Sequence, residues 1–89
     1  MNTIFESIDR IRKMEAIFDK LTVDIREDPP KINKKMLQIL IDYYDNGEWM
    51  HDYELDEAGL LPSDLKRGVL SEDGVYNLLS SISEVLKLK

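Results

Sequence analysis

Residues 3–27, TIFESIDRIRKMEAIFDKLTVDIRE, carry apolar side chains at steps of three or four positions, with charged side chains between them. This spacing is typical of an α-helix that buries one face. Asn2 or Thr3 can cap its start. At roughly 25 residues and about 1.5 Å per residue, the predicted helix is roughly 37 Å long. Its apolar stripe consists of Ile4, Ile8, Ile11, Met14, Phe18, Leu21 and Ile25.

A second helix is predicted from the two prolines that follow up to Asp45. Pro29 disfavours helical backbone at Asp28, so the first helix ends there, and Asp28 can cap the second helix with Pro29 at its first position. Asn46 and Gly47 tolerate the left-handed backbone with which many helices end, so we expect them to close it. Its apolar stripe consists of Ile32, Met36, Ile39, Leu40 and Tyr43, with Tyr44 beside them.

The rest of the chain predicts two short structures and one further long helix. A short helix over Glu48–Tyr53 precedes irregular chain, and Ser63–Lys66 fits a single helical turn. Ser71 is suited to cap the final helix. Gly74 in its first turn is less favourable than alanine, which indicates that another group approaches closely there. The apolar stripe of this helix consists of Val75, Leu78, Leu79, Ile82, Val85 and Leu86.

The fold class follows from these stripes. Three amphipathic helices cannot bury their apolar faces alone, so they should pack on one another. No run of residues alternates polar and apolar side chains as a strand does. The 89 residues therefore predict one all-α domain over residues 1–89. We expect a small three-helix bundle with a short extra helical or irregular acidic segment between helices 2 and 3.

Composition limits the possible functions. The 18 acids and 12 bases give a formal net charge of −6, which disfavours nucleic acid and anionic membranes as partners. Without cysteine and with one histidine, the chain excludes disulfides, thiolate metal sites and multi-histidine metal sites within one chain. No apolar run approaches the length of a membrane span, and the N-terminus lacks the apolar stretch of a secretory signal. We therefore expect a cytoplasmic protein.

The acids are concentrated in one segment. Residues 42–57 hold seven acids and no lysine or arginine. The acids at alternate positions in Asp52–Asp56 are similar to a calcium loop, but that loop requires glycine where Glu57 stands and an acid where Ser63 stands. A different cation site, or a small enzyme with His51 as general base, is the alternative function. We expect no cofactor.

The same segment is the predicted partner-binding surface of a non-enzymatic protein. Trp49 and Tyr53 would supply anchoring area, because aromatic residues are enriched at the centres of interfaces. The acids would steer a basic protein partner towards the segment. The alternative for Trp49 is a buried position that anchors the segment on the helices. The predicted contact residues are Tyr44, Trp49, Asp52, Tyr53, Glu54, Asp56 and Glu57.

Two further contacts are predicted outside this surface. Lys66 or Arg67 should pair with the nearby carboxylates and tie the segment to the domain, with an anion contact as the alternative. The nearly heptad stripe and the length of the first helix predict a homodimer through this helix. The alternative is that the central segment of the same chain covers the surplus length of the helix.

Two stretches of the chain resemble a known family. They are YYDNGEWMHDYELDEAG at residues 43–59 and LPSDLKRGVLSEDGVY at residues 61–76, and residues 10–15 are similar to the start of the same family. The family is a small, mostly bacterial one, the domain of unknown function of family 4298. The resemblance covers nearly the whole chain and implies a small intracellular bacterial protein. It implies no activity and no assigned catalytic or binding residues.

Overall fold

The structure, a computed structural model, describes residues 4–87. They form four α-helices and one 3₁₀ turn, and no β-strand occurs within this range. The all-α prediction is therefore confirmed. The predicted short acidic helix runs four residues further than expected, so four helices make up the fold. The elements are α1 (Ile4–Ile25), α2 (Lys34–Asp45), α3 (Glu48–Glu57), the 3₁₀ turn (Gly68–Leu70) and α4 (Glu72–Lys87).

Helix α1 is the element on which most of the others pack. Helices α2 and α4 and the 3₁₀ turn all lie against it. The middle of the predicted stripe is buried, whereas Ile4 at its start is exposed. Ile17 was not predicted in the stripe but is buried too, because partners cover α1 on more than one side. The buried apolar residues of α1 are Ile11, Met14, Ile17 and Leu21.

Helix α2 begins later than the sequence predicted. Asn33, not Asp28, is its N-cap, and the Asn33 side-chain oxygen accepts hydrogen bonds from the backbone N–H groups of Lys35 (3.0 Å) and Met36 (3.1 Å). Residues 28–33 form no helix. The physical reason is that Asn33 satisfies two otherwise unpaired N–H groups of the first turn. Leu40 and Tyr43 are buried as expected, and Ile39 of the predicted stripe is exposed.

The connection from α2 to α3 is a tight turn. Gly47 has a φ of 95°, a left-handed conformation that glycine adopts without steric cost. The side-chain oxygen of Asn46 accepts a hydrogen bond (2.9 Å) from the backbone N–H of Glu48, the first residue of α3. The predicted closing role of Asn46 and Gly47 is therefore confirmed, and the turn fixes how α3 leaves α2.

The prediction of a helical turn at 63–66 is wrong. The chain from 61 to 67 is irregular, with a turn closed by a 3.2 Å hydrogen bond from the Leu65 N–H to the Pro62 carbonyl. Leu61 and Leu65 are both buried, so apolar contacts hold this non-helical segment in position.

The peptide groups of Val69 attach the 3₁₀ turn to two helices at once. The Val69 N–H donates to Glu15 Oε1 of α1 at 2.8 Å, and the Val69 carbonyl accepts from Trp49 Nε1 of α3 at 2.8 Å. A Cβ at Gly68 would lie 2.9 Å from Glu15 Oε2, closer than side chains tolerate. Glycine therefore lets the buried Glu15 carboxylate reach the backbone.

Helix α4 starts as the sequence predicts. The Ser71 Oγ accepts a hydrogen bond from the Gly74 N–H at 3.2 Å, and Glu72 and Asp73 lie in the first turn. The close approach expected at Gly74 comes from the cap itself, because a Cβ there would lie 3.3 Å from both Cβ and Oγ of Ser71. Val75, Leu78 and Ile82 are buried. Within residues 4–87, none of the helices is both long and apolar enough to cross a membrane.

The Glu15→Ala variant is expected to lower the free energy of unfolding by about 1–3 kcal/mol, because the buried Val69 N–H loses its acceptor. Urea unfolding followed by circular dichroism measures the change. The Glu15→Gln variant keeps an acceptor oxygen and should lose less stability.

Asp19→Ala is the matched control, since Asp19 is an exposed acid one turn further along α1. It should stay within about 0.5 kcal/mol of the wild type. Equal losses for Glu15→Ala and Asp19→Ala would contradict the role given to the Glu15 carboxylate.

Candidate functional site

Helix α3 divides the acidic segment into an inner and an outer face. Trp49 is 4% exposed and Asp52 is 0% exposed, whereas Glu54 and Glu57 are exposed to solvent. Because consecutive helical residues point about 100° apart, the buried pair at positions 49 and 52 defines the inner face. The segment predicted as one contact surface therefore contributes residues both to the core and to the surface.

The inner face holds an ion pair whose carboxylate, on Asp52, is fully buried and whose Arg10 side chain is 14% exposed. Arg10 of α1 donates from Nε to Asp52 Oδ2 (2.9 Å) and from Nη2 to Asp52 Oδ1 (2.6 Å). The hydroxyl of Tyr43 on α2 donates to Asp52 Oδ2 at 2.7 Å. Arg10 also donates to Ser7 Oγ at 3.2 Å and lies 3.5 Å from Glu48 Oε2. Three helices therefore meet at one carboxylate.

This network holds helices together and presents no reactive group to solvent. The hydrogen bond to Asp52 raises the pKa of Arg10, so the guanidinium stays charged. Burial, and then the hydrogen bond to Asp52, raise the pKa of Tyr43, so its hydroxyl stays a donor. Both Asp52 oxygens accept hydrogen bonds from these two residues. A carboxylate satisfied in this way suits structural support better than acid–base chemistry.

Trp49 is the centre of an aromatic cluster. Its ring centroid lies 5.1 Å from that of Tyr44, at an interplanar angle of 58°, and 5.0 Å from that of Tyr53, at 15°. Its indole N–H donates to the Val69 carbonyl. Burial of the ring and pairing of its one polar group match the alternative considered for Trp49, an anchor of the segment on the helices.

An acidic cleft lies where the end of α3 meets the start of α4. Its walls carry four carboxylates, and Arg67 is the basic residue among its lining residues. Arg67 Nη1 is 2.7 Å from Asp56 Oδ1, so the predicted tie between Arg67 and the acidic segment is present. The acidic cleft is lined by Tyr53, Asp56, Glu57, Arg67, Leu70, Ser71, Glu72 and Asp73.

Tyr53 links the two sides of the acidic cleft. The nearby carboxylates of Glu57 on α3, and then of Glu72 on α4, raise the pKa of its hydroxyl to about 12. The ring of Tyr53 stacks on Trp49, so the position of the hydroxyl is set by a buried side chain. The acidic cleft thus combines carboxylates from two helices with an aromatic wall.

The predicted contact residues separate into three groups. Trp49 and Asp52 are buried, so they support the surface and do not form it. Tyr44 is half-buried against Trp49, and Glu54 is exposed outside the lining of the acidic cleft. The predicted residues that line the acidic cleft are Tyr53, Asp56 and Glu57.

Sequence reasoning missed part of the acidic cleft and the partners of Asp52. Acids such as Glu72 and Asp73 are common at a helix start, so the sequence gives no sign that they lie beside α3 in the acidic cleft. Arg10 lies 42 positions before Asp52, a separation at which periodicity carries no signal. His51 is exposed, and residues 4–87 contain no group of three or more histidine or acidic side chains arranged to hold a metal ion.

Asp52→Asn is expected to lower the free energy of unfolding by about 3–5 kcal/mol, because it leaves the Arg10 charge without its buried counter-charge. Thermal and urea unfolding measure the loss. Tyr43→Phe removes one hydrogen bond to a charged group and should cost about 1.5–3 kcal/mol. Glu54→Gln, at an exposed acid on the same helix, is the control. A loss from Asp52→Asn no larger than that of the control would contradict the ion pair as a helix clamp.

Stability is expected to fall at alkaline pH through Tyr53. A tyrosine pKa raised in the fold stabilises it below the unfolded-state value of about 10, and this stabilisation is lost as the pH rises through about 12. The Tyr53→Phe variant should therefore show a smaller loss of stability across this pH range than the wild type. Urea unfolding at a series of pH values measures this loss of stability for the variant and the wild type.

Tyr76→Phe is the control for this experiment, because it also removes a tyrosine hydroxyl but lies at an exposed position of α4. Identical pH dependences for the Tyr53→Phe and Tyr76→Phe variants would contradict the contribution of the Tyr53 hydroxyl.

Comparison with known proteins gives a family and no activity. No curated protein and no solved structure matches the chain. The family model described as "Domain of unknown function (DUF4298)" matches residues 6–89. This range contains α2, α3, the 3₁₀ turn and the whole of the acidic cleft. The chain therefore belongs to the DUF4298 family, as the resemblance of its central stretches implied.

Proposed function

We propose that this protein acts by protein–protein contact, without enzymatic chemistry, and that its acidic cleft binds a basic segment of a partner protein. The observation that carries the proposal is the charge of the acidic cleft: four carboxylates line it, and its one guanidinium, on Arg67, is already paired with Asp56. Complementary charge speeds the encounter of two proteins and disfavours wrong partners.

The chemistry of the acidic cleft fits a lysine or arginine side chain of the partner. Glu57 and Glu72 both line the acidic cleft beside Tyr53, so their oxygens can accept hydrogen bonds from an ammonium or guanidinium group. The Tyr53 ring offers a face on which a guanidinium can stack. Arginine makes fuller use of both features than lysine does, because its planar group both stacks and donates several hydrogen bonds.

The walls of the acidic cleft are held in place before any partner arrives. The Arg67–Asp56 pair joins the segment before the 3₁₀ turn to α3, and Trp49 joins the turn itself to the same helix. A binding surface whose side chains are already ordered loses less conformational entropy on association. In this proposal α1, α2 and α4 form the predicted three-helix frame, and α3 with the 3₁₀ turn carries the site.

The compartment is part of the proposal as well. A chain of 89 residues without cysteine fits a reducing compartment such as the bacterial cytoplasm. A basic partner there would be a protein segment, since nucleic acids and anionic membranes carry the same sign of charge as the acidic cleft.

The homodimer through α1 stays a prediction. The middle of the α1 stripe is covered within the chain, so a second copy would use the opposite side of the helix. That side exposes Phe5 (75%) and Val23 (54%), which lie five helical turns, or about 27 Å, apart. The charged residues Arg12 and Asp19 lie between them, so this side of α1 offers separate apolar points and no continuous stripe.

An NMR titration tests the proposed function. A short arginine-rich peptide added to ¹⁵N-labelled protein should shift the amide signals of residues 53–57 and 70–73 most, and added salt should weaken the binding. Glu57→Gln removes one carboxylate of the acidic cleft and should raise the dissociation constant about two- to fivefold.

Glu54→Gln is the matched control, because it makes the same change of charge on the same helix outside the acidic cleft. It should leave the dissociation constant close to that of the wild type. Signal shifts centred on another surface would contradict the proposal. Equal weakening of peptide binding by the Glu54 and Glu57 variants would contradict it too.

A further inference from the structure

Helices α2 and α4 both pack on α1 and run in opposite directions, with an apolar groove between them. Ile32, two residues before α2, lies near Leu86 at the end of α4, and Tyr44 at the end of α2 lies near Tyr76 at the start of α4. Between these ends the groove is lined by Leu37, Ile41, Leu79, Ser83 and Leu86. The α2–α4 groove spans the whole length of α2, which is about 18 Å for its 12 residues.

The α2–α4 groove leaves apolar surface without a partner among residues 4–87. Its leucine and isoleucine side chains are only half-buried, and Tyr76 at its end is 65% exposed. In α4 the groove is bordered by Ser80 and Ser83, whose small side chains allow another helix to approach closely. Exposed apolar surface such as that between Leu37, Ile41 and Leu79 is a feature of protein contact sites.

The rim of the α2–α4 groove has a charge pattern that complements itself. Lys34 begins α2 and Asp45 ends it, and both are exposed. They are 11 positions apart, about three helical turns, so they lie on the same edge of the helix as Ile41. When a second copy of this edge runs antiparallel to the first, the basic end of each copy lies opposite the acidic end of the other.

We propose that the α2–α4 groove is the interface of a homodimer in which α2 of one copy packs antiparallel against α2 of the other. A two-fold axis crossing the middle of α2 brings Lys34 of each copy opposite the partner's Asp45. The α4 helices then face each other in the same way, with Ser80 opposite the partner's Ser83. The apolar side chains of both grooves fill the centre of the resulting four helices.

A symmetric contact uses this charge pattern more fully than a heterologous contact would. In a two-fold dimer each contact occurs twice, so one complementary edge supplies two ion pairs. No residue lines both the α2–α4 groove and the acidic cleft, so the dimer does not depend on the proposed function. It also differs from the dimer through α1 in the helices that it buries.

A charge-reversal cycle tests the inference. Light scattering across a concentration series should give a wild-type mass approaching twice the 10.4 kDa of the chain. Lys34→Glu and Asp45→Lys each place like charges opposite one another twice, so each should raise the dimer dissociation constant about tenfold. The double variant restores opposite charges and should return the constant close to the wild-type value.

The two single variants are designed to leave the monomer folded. An acid at the start of a helix and a base at its end are both favourable to the helix dipole, so each change should keep or raise the melting temperature. Lys35→Glu is the matched control, because it makes the same change one position further along α2, away from the groove edge. It should leave the dissociation constant unchanged.

The opposite outcomes overturn the inference. A wild-type chain with the mass of a monomer at every concentration would contradict it. So would a double variant whose dimer dissociation constant stays as high as those of the single variants. A dimer dissociation constant that is raised by Val23→Ser on the outer side of α1 and unchanged by Lys34→Glu would assign the contact to α1 instead. A monomer that binds an added amphipathic helical peptide in the groove would replace the second copy with a different partner.

Discussion

The fold depends on one carboxylate that has no access to water. A charge in the interior costs several kcal/mol unless it is paired and hydrogen-bonded. Asp52 of α3 is satisfied by Arg10 of α1 and by Tyr43 of α2, and each of its oxygens has a donor. Because the planar guanidinium meets both oxygens together, the two helices can approach in few ways. The pair therefore determines where α3 lies on the other helices more than it adds to net stability.

The position of α3 decides which of its acids are available at the surface. With Trp49 and Asp52 turned inward, Asp56 and Glu57 turn towards the start of α4, where Glu72 and Asp73 are already held by the Ser71 cap. Four acids from two helices then share one cleft, although like charges repel. The Tyr53 hydroxyl and the Arg67 guanidinium lie among them and offset part of that repulsion. The remaining negative charge is what a basic partner would neutralise.

The sequence predicted those features that local periodicity determines. The stripes of α1 and α4, the Ser71 cap and the turn at Gly47 each depend on neighbours within a few positions. The start of α2 was mispredicted because Asp28 and Asn33 are both good caps, and only the structure shows which one pairs with N–H groups. The inner face of α3 was hidden because its apolar residues form no single stripe, and Met50 among them is exposed. Pairs such as Glu15 with Val69 depend on the fold as a whole.

The attachment of Val69 has a consequence for the order in which the chain becomes stable. Synthesis delivers Glu15 and Trp49 well before Val69, whose N–H and carbonyl they bind and which lies 54 and 20 positions later. Until that segment leaves the ribosome, the carboxylate of Glu15 and the indole N–H of Trp49 have water as their partner. Contacts between such distant residues form late because loop closure must come first. A nascent chain that ends before the 3₁₀ turn therefore lacks the contacts that Val69 makes with α1 and α3. The acidic cleft is complete only when the start of α4, with Glu72 and Asp73, has emerged.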